Sequence, residues 1–194
     1  MAEKNSKRTD ILASARALFR EKDFHDTKME DIALRAGVGK GTLYEYFANK
    51  QEIFDETCIE CVESIHQKVE EVRNMDASFK DKILMLFKGR KNSFHGEMEK
   101  NPIDSIMSYK NIISEKVLKT MFEHISDMNK IIVDIVNQGK DEGVVRNDIP
   151  SEMIACFIVG TMGECLNAAI HKSGGDSFQE DLVFNLLFNG LGVK

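Results

Sequence analysis

Apolar side chains recur at spacings of three and four residues along most of this chain, which is the period of an amphipathic helix. The alternation of apolar and polar residues that marks a half-buried strand does not extend over any convincing stretch. Only two prolines, Pro102 and Pro150, occur among the 194 residues, so long helices are permitted almost throughout. The sequence therefore predicts an all-α fold of about nine helices.

The first predicted helix begins after Thr9 as its N-cap, and a break follows it at residues 22–25. A long fourth helix is predicted to begin at a capping pattern formed by Asn49 and Glu52. The apolar face of the first helix is predicted to consist of Ile11, Leu12, Ala15, Leu18 and Phe19.

A tight turn is predicted between the second and third helices. Thr27 and Glu30 have the spacing of a capping box that opens the second helix, and Gly37 supplies the left-handed residue that ends it. Val38 is expected to plug the turn, and the third helix is predicted over residues 39–47. Two short helices joined by a glycine turn indicate a helix-turn-helix motif. A plain αα-hairpin inside a helical core has the same pattern, so the geometry alone leaves both open.

The side chains of the third helix favour DNA binding. Leu43 and Phe47 lie four residues apart and predict one buried face. A pair of exposed tyrosines on the other side would be unusual unless something binds them. Lysine and hydroxyl groups reach phosphate oxygens, and a glycine allows close backbone approach. The residues with these properties are Lys40, Gly41, Thr42, Tyr44 and Tyr46, and Lys50 is placed for a further phosphate at the start of the next helix.

About the first 55 residues resemble the DNA-binding part of the tetracycline-repressor (TetR) family of bacterial regulators. The resemblance lies in the run Thr27-x-x-x-Asp31-Ile32-Ala33-x-x-Ala36-Gly37-Val38-x-Lys40-Gly41-Thr42-Leu43-Tyr44-x-Tyr46-Phe47-x-Asn49-Lys50, preceded by Ile11-Leu12-x-x-Ala15-x-x-Leu18-Phe19. The C-terminal part shares only length, helix count and a Gly143-x-x-Arg146-x-Asp148 linker with the family.

The resemblance implies that the third helix enters the major groove of DNA. Gly39 stands where the family often has a serine N-cap, which puts one polar contact in doubt. Glu45 must point away from phosphates or accept a hydrogen bond from a cytosine amino group. The predicted DNA-contacting residues are Thr27, Lys28, Lys40, Gly41, Thr42, Tyr44, Tyr46 and Lys50.

The charge distribution agrees with a DNA-facing N-terminus. The whole chain carries a formal net charge of -6, whereas residues 1–50 hold ten Lys/Arg against eight Asp/Glu. We therefore predict a helix-turn-helix DNA-binding domain over residues 1–50. Residues 51–194 are predicted to form a helical effector-binding and dimerisation domain.

Two helices near the C-terminus are predicted to form a homodimer interface. Residues 153–170 are apolar nearly all round, and residues 178–191 add a second apolar helix. A two-fold four-helix interface would bury both, although a fully intramolecular core is the alternative. A dimer also suits a palindromic operator. The predicted interface residues are Ala155, Val159, Met162, Gly163, Leu166, Ile170, Leu182, Leu186, Leu187 and Gly190.

The family resemblance further implies an effector cavity among the middle helices. These helices are rich in methionine and phenylalanine, which favours a small apolar or aromatic effector. The candidate pocket residues are Met85, Phe94, Met107, Tyr109, Met121, Phe122, Ile125, Met128, Phe157 and Met162.

No cofactor, metal or membrane span is expected. Cys58 and Cys61 fall on the buried stripe of a helix, and His95 with Glu99 is a lone polar pair. Residues 153–170 contain Glu164 and Asn167, so we interpret them as a buried helix. The polar start of the chain contains no signal peptide, which predicts a cytoplasmic protein with free thiols.

These features predict a ligand-responsive DNA-binding transcriptional regulator, with repression of a palindromic operator as its default mode. An enzyme built on a helical bundle would need a polar catalytic cluster, which the sequence does not offer. The remaining alternative is a helical protein-interaction module that uses the tyrosine-rich helix. Steep salt dependence would distinguish DNA binding from that alternative.

Overall fold

The computed structural model describes the backbone of residues 2–94, 109, 111–171 and 185, and the side chains of residues 6–87, 109, 111–161 and 185. The elements within these residues are all helices, which confirms the predicted all-α class. The described part holds seven helices, and the helix expected at residues 178–191 lies almost entirely outside it. In chain order the helices are α1 (Ala2–Asp26), α2 (Met29–Arg35), α3 (Lys40–Tyr46), α4 (Lys50–Asn74), α5 (Phe79–Phe94), α6 (Glu115–Asp141) and α7 (Ser151–His171).

Helix α1 begins earlier than the sequence predicts. Thr9 lies inside it and is not the N-cap, because the preceding residues contain neither proline nor glycine and continue the helix back to Ala2. The predicted break is present, since Asp23 has non-helical angles of φ 68° and ψ 165°. This kink turns the chain towards α2.

The start of α2 also differs from the prediction. Its N-cap is Lys28, and the Asp31 carboxylate accepts a hydrogen bond from the Lys28 backbone N–H at 3.3 Å. Thr27 is buried, and its hydroxyl donates to the carbonyl of Asp23 at 2.6 Å. The predicted capping box of Thr27 and Glu30 is therefore wrong, because the threonine hydroxyl closes the end of α1 instead.

The turn between α2 and α3 has the predicted form. Gly37 adopts a left-handed φ of 66° and donates to the Leu34 carbonyl, while the Val38 N–H donates to the Ala33 carbonyl at 3.0 Å. This pair of hydrogen bonds forms a Schellman motif. Val38 packs against the core as expected. Gly39 is the extended N-cap of α3.

Helix α4 begins at the predicted cap. The Asn49 side-chain oxygen accepts a hydrogen bond from the Glu52 N–H at 2.9 Å, and the Glu52 carboxylate accepts one from the Ala48 N–H at 2.6 Å. Two backbone donors near the helix start are thereby satisfied. The α3–α4 connection is thus fixed by local side chains.

The chain forms two compact units. The first unit combines residues 1–63 with residues 106–122. The division of function at residue 50 remains a prediction. The core of the first unit contains Ile11, Leu12, Ala15, Leu18, Phe19, Phe24, Met29, Ile32, Ala33, Leu43, Phe47, Ile53, Phe54, Cys58, Val62, Ile113, Val117 and Met121.

The second unit combines residues 64–105 with residues 123–194. Gly139 of α6 allows a close approach inside it, because a Cβ built there would lie 2.7 Å from side-chain atoms of both Phe79 and Val145. Its core contains Val72, Phe79, Ile83, Leu86, Phe87, Ile131, Ile132, Ile135, Val136, Val145, Ile154, Ala155 and Ile158. Across the described part of the chain, none of the helices combines the length and the apolarity that a bilayer crossing requires.

Candidate DNA interface and effector residues

Helix α3 is held against the core of the first unit along one side. Leu43 and Phe47 are completely buried, as their spacing predicts. Lys40, Gly41 and Tyr44 are exposed on the outside, and the Tyr44 side chain keeps 47% of its surface accessible. A rigidly docked helix with an outward basic and hydroxyl-bearing face is suited to enter a DNA groove.

Two further α3 residues are less accessible than predicted. Tyr46 packs against the core of the first unit, so the expected pair of exposed tyrosines is wrong and Tyr44 alone is exposed. The reason is helical geometry, because Tyr46 follows Leu43 by three residues and shares its buried side. Thr42 is half-buried.

Lys40 forms an ion pair across the turn. Its ammonium donates to the Glu30 carboxylate of α2 at 2.6 Å, and both side chains are more than half exposed. The hydrogen bond from Lys40 lowers the pKa of Glu30, and the same bond raises the pKa of Lys40. An exposed pair of this kind is weak, so a DNA phosphate could replace the carboxylate at little cost.

The residues that open α2 lie in different environments. Lys28 is exposed and available to a phosphate. Thr27 is only 1% exposed, and its hydroxyl already donates to the Asp23 carbonyl. Lys28 is therefore accessible from outside, whereas Thr27 has an internal partner.

Lys50 has partners that the sequence does not reveal. Its ammonium donates to the carbonyls of Phe24, Thr27 and His25 at 2.5, 2.8 and 3.3 Å. The same ammonium lies 4.3 Å from the centroid of the Phe24 ring. These contacts join the first turn of α4 to the end of α1.

The effector candidates are distributed over both units. In the first unit, Met121 is buried in the core and Phe122 is exposed. Tyr109 packs edge-on against Phe54, with ring centroids 5.3 Å apart. Burial, followed by a hydrogen bond to the Asp23 carboxylate, raises the pKa of Tyr109 to about 12.

In the second unit, Met128 is buried, Ile125 is half-buried, and Met85 and Phe157 are exposed. The side chains of these four candidates therefore range from buried to exposed in one copy of the chain. The side chains of Phe94, Met107 and Met162 lie outside the described residues. The pocket itself remains a prediction.

Within residues 151–161, the proposed dimer helix α7 presents a different face from the one predicted. Ala155 is buried in the core of its own unit and Val159 is half-buried, because they share a side with Ile154 and Ile158. The outer side carries exposed residues at spacings of three and four, a signal that is already present in the sequence. This exposed α7 stripe consists of Met153, Cys156, Phe157 and Gly160. The other predicted interface side chains, Met162, Gly163, Leu166, Ile170, Leu182, Leu186, Leu187 and Gly190, lie outside the described residues.

A docked second helix of a helix-turn-helix motif with an exposed polar face defines a DNA-binding transcriptional regulator. Residues 11–57 match the family model of the bacterial regulatory proteins of the tetR family. The HTH-type transcriptional repressor KstR2 of Mycobacterium tuberculosis is 29% identical over 161 residues, which cover 81% of this chain and 78% of that protein. Over residues 11–57 this chain thus matches the tetR family, and it is similar to DNA-binding transcriptional regulators over most of its length.

Two further similarities extend over nearly the whole chain. The fatty acid metabolism regulator protein of Bacillus subtilis is 22% identical over 166 residues, or 84% of each chain. The crystal structure of the transcriptional regulator FadR from Bacillus subtilis in complex with stearoyl-CoA superposes with a TM-score of 0.72 at 20% identity, covering 94% of this chain and 98% of that one. At this identity the superposition shows a shared fold.

Proposed function

We propose that this protein is a homodimeric repressor that binds a palindromic operator and leaves it when an apolar effector binds. The observation that carries the proposal is α3, whose Leu43 and Phe47 are fully buried while Lys40, Gly41 and Tyr44 face outwards. Such a helix can enter the major groove without changing its attachment to the core. A protein of this kind acts on the chromosome, which supports a cytoplasmic location.

The structure supports different roles for the exposed residues. Lys40 and Lys28 are placed for phosphates, which position a protein on DNA without reading its sequence. Tyr44 and Thr42 offer hydroxyls to base edges or phosphates. Nothing lies within 4 Å of the position that a Cβ of Gly41 would occupy, so the DNA backbone can approach Gly41 closely. Tyr46 is half-buried, so at most the edge of its ring can contact DNA.

The DNA test uses fluorescence anisotropy with a duplex that the protein selects from a random-sequence pool, and an unrelated duplex as the reference. Lys40→Met should weaken binding to both duplexes and lower the slope of log affinity against log salt by roughly one unit. Tyr44→Phe should weaken binding to the selected duplex while the fold is kept. Lys130→Met removes an exposed lysine of α6 and is the matched control.

Each outcome has a clear meaning. Preference for the selected duplex, with a steep salt dependence, supports the regulator. If Lys40→Met and Lys130→Met behave alike, Lys40 does not contact phosphate. Equal binding to both duplexes by the wild-type protein would contradict operator recognition.

The effector is proposed to carry a long acyl chain linked to coenzyme A. Support comes from the Bacillus subtilis FadR structure, which contains stearoyl-CoA, and from a similar Mycobacterium tuberculosis protein described as a ketosteroid regulator. Both ligand types have a large apolar body, which suits the methionine- and phenylalanine-rich middle of this chain.

Stearoyl-CoA titrated into the protein–DNA complex should release the DNA, and free coenzyme A should not. By reciprocity, the selected duplex should weaken stearoyl-CoA binding by the same factor. A ketosteroid serves as the second probe. Release by the ketosteroid and not by stearoyl-CoA would contradict the acyl assignment while leaving the regulator intact.

A further inference from the structure

The connection between α1 and α2, here called the α1–α2 junction (residues 23–28), has an unusual backbone. Asp23 has φ 68° and ψ 165°, a combination that residues other than glycine rarely adopt. A backbone of this kind persists only when neighbouring groups hold it. The Thr27 hydroxyl is one such group, since it donates to the Asp23 carbonyl at 2.6 Å.

Lys50 makes several contacts with the same junction. Its ammonium reaches the junction carbonyls of Phe24, Thr27 and His25 at 2.5 to 3.3 Å and lies over the Phe24 ring. An ammonium has three N–H donors, so these carbonyls use all of them. A positive charge is also favoured here, because the carbonyls at a helix C-terminus carry partial negative charge.

Lys40, which is proposed above to bind a phosphate, has different surroundings in the same unit. Its partner is one exposed carboxylate, which a phosphate can replace. Lys50 is half-buried, and its partners are backbone carbonyls that cannot move without disturbing the chain. A phosphate that recruited Lys50 would leave those carbonyls without their donor.

The junction lies directly before α2, whose first residue is Met29, and α2 leads through the Gly37 turn into α3. We propose that Lys50 is a positioning residue for DNA recognition: it fixes the α1–α2 junction, and through it the orientation of α2 and α3, and does not bind a phosphate. This inference rests on the proposed DNA-binding function. It differs from the phosphate contact that the sequence suggests for Lys50.

The test compares Lys50→Met with Lys40→Met on the selected and unrelated duplexes over a range of salt concentrations. Lys50→Met should lower affinity for the selected duplex by at least about tenfold, comparable to one misread base pair. Affinity for the unrelated duplex and the salt slope should stay as in the wild type, and Lys50→Arg should restore most of the discrimination. A slope lowered by about one unit with equal loss on both duplexes would make Lys50 a phosphate ligand and overturn the proposal.

A second readout does not depend on DNA. Amide hydrogen exchange in residues 18–36 of the free full-length protein should become at least about tenfold faster in Lys50→Met and stay unchanged in Lys40→Met. Unchanged exchange in Lys50→Met would overturn the positioning role. If the wild-type protein recognised no DNA, this measurement would still decide whether Lys50 holds the junction, so the two failures are distinguishable.

Thr27→Val provides a variant that leaves all charges in place. It removes the hydroxyl donor to Asp23 and keeps the side-chain volume, so it tests the junction even if Lys50→Met does not fold. Discrimination between the two duplexes should fall while the salt slope is kept. Full discrimination by Thr27→Val would contradict control of recognition by the junction.

Discussion

Cys58 carries a thiol that the protein keeps protonated. The residue is 5% exposed in the core of the first unit, and burial raises its pKa to about 12, with smaller contributions from Cys61 and Asp55. The thiolate is the reactive form, so a thiol with such a pKa behaves as a small apolar side chain. The stability that Cys58 contributes is fully present below pH 9 and decreases as the pH rises towards 12.

A protein that retains only Cys58, with Cys61, Cys156 and Cys165 changed to serine, should resist thiol reagents at pH 8. The thiolate fraction falls on the order of 10³-fold relative to an ordinary cysteine, and burial slows the reaction further. Labelling by a maleimide, followed by mass spectrometry, checks this. The same protein in urea is the control, and rapid labelling without urea would contradict the assignment.

Lys40 and Lys50 show how far sequence alone can go at this scale. Both are lysines at the start of a helix in a stretch that resembles a DNA-binding motif, and both are predicted from sequence to contact DNA. Their partners depend on groups distant in the chain: Glu30 for one and the junction carbonyls for the other. The residue type predicts a positive charge, whereas the local packing decides what that charge binds.

The helix ends show the same difference between features that depend on nearby residues and features that depend on the fold. Gly37 and the Asn49 cap of α4 were predictable, because a left-handed glycine and a short polar side chain act within a few residues. The true N-cap of α2 was not predictable, because the buried Thr27 hydroxyl is used by the end of α1. Caps with a purely local partner can be read from sequence, and the others require the fold.

Gly139 and Gly41 are both helical glycines with different surroundings. Gly139→Ala would force a methyl group against Phe79 and Val145 at 2.7 Å, and both neighbours are buried. We expect destabilisation of about 1–3 kcal/mol despite the better helix propensity of alanine. The midpoint of thermal unfolding should fall by roughly 2–10 °C.

Gly41→Ala is the matched control for stability, because nothing lies within 4 Å of the position that its methyl group would occupy. Its unfolding midpoint should stay the same or rise slightly. Both midpoints are measured by circular dichroism under identical conditions. An unfolding midpoint for Gly139→Ala equal to that of the wild type would show that Phe79 or Val145 adjusts freely.

At the scale of the molecule, the exposed α7 stripe supports a surface for a second copy of the chain. Met153 and Phe157 keep 63% and 54% of their surfaces accessible, which is high for large apolar side chains next to each other on one helix. Four residues bury too little area for a stable dimer, so the proposed interface also includes the predicted residues beyond the described part. The apolar character of this helix was evident from sequence, but its outward side required the structure.

Phe157→Glu should weaken the dimer by at least about 30-fold, because it places a charge inside an apolar contact. Sedimentation equilibrium over a range of concentrations measures the effect. Lys130→Glu changes the charge at an exposed position of α6 and is the control. A Phe157→Glu protein that stays dimeric with wild-type affinity would exclude this stripe from the interface.

The discontinuous first unit has a consequence for biosynthesis. Ile113, Val117 and Met121 fill the same core as Phe54 and residues of the helix-turn-helix motif, although the two parts of the unit, residues 1–63 and 106–122, are far apart in the chain. A ribosome that has finished residue 63 has made every residue of the motif and still lacks part of the core beneath it. At ordinary elongation rates the missing part follows roughly 3–12 s later. During that interval we expect the nascent chain to expose apolar surface, to which chaperones near the ribosomal exit tunnel would bind.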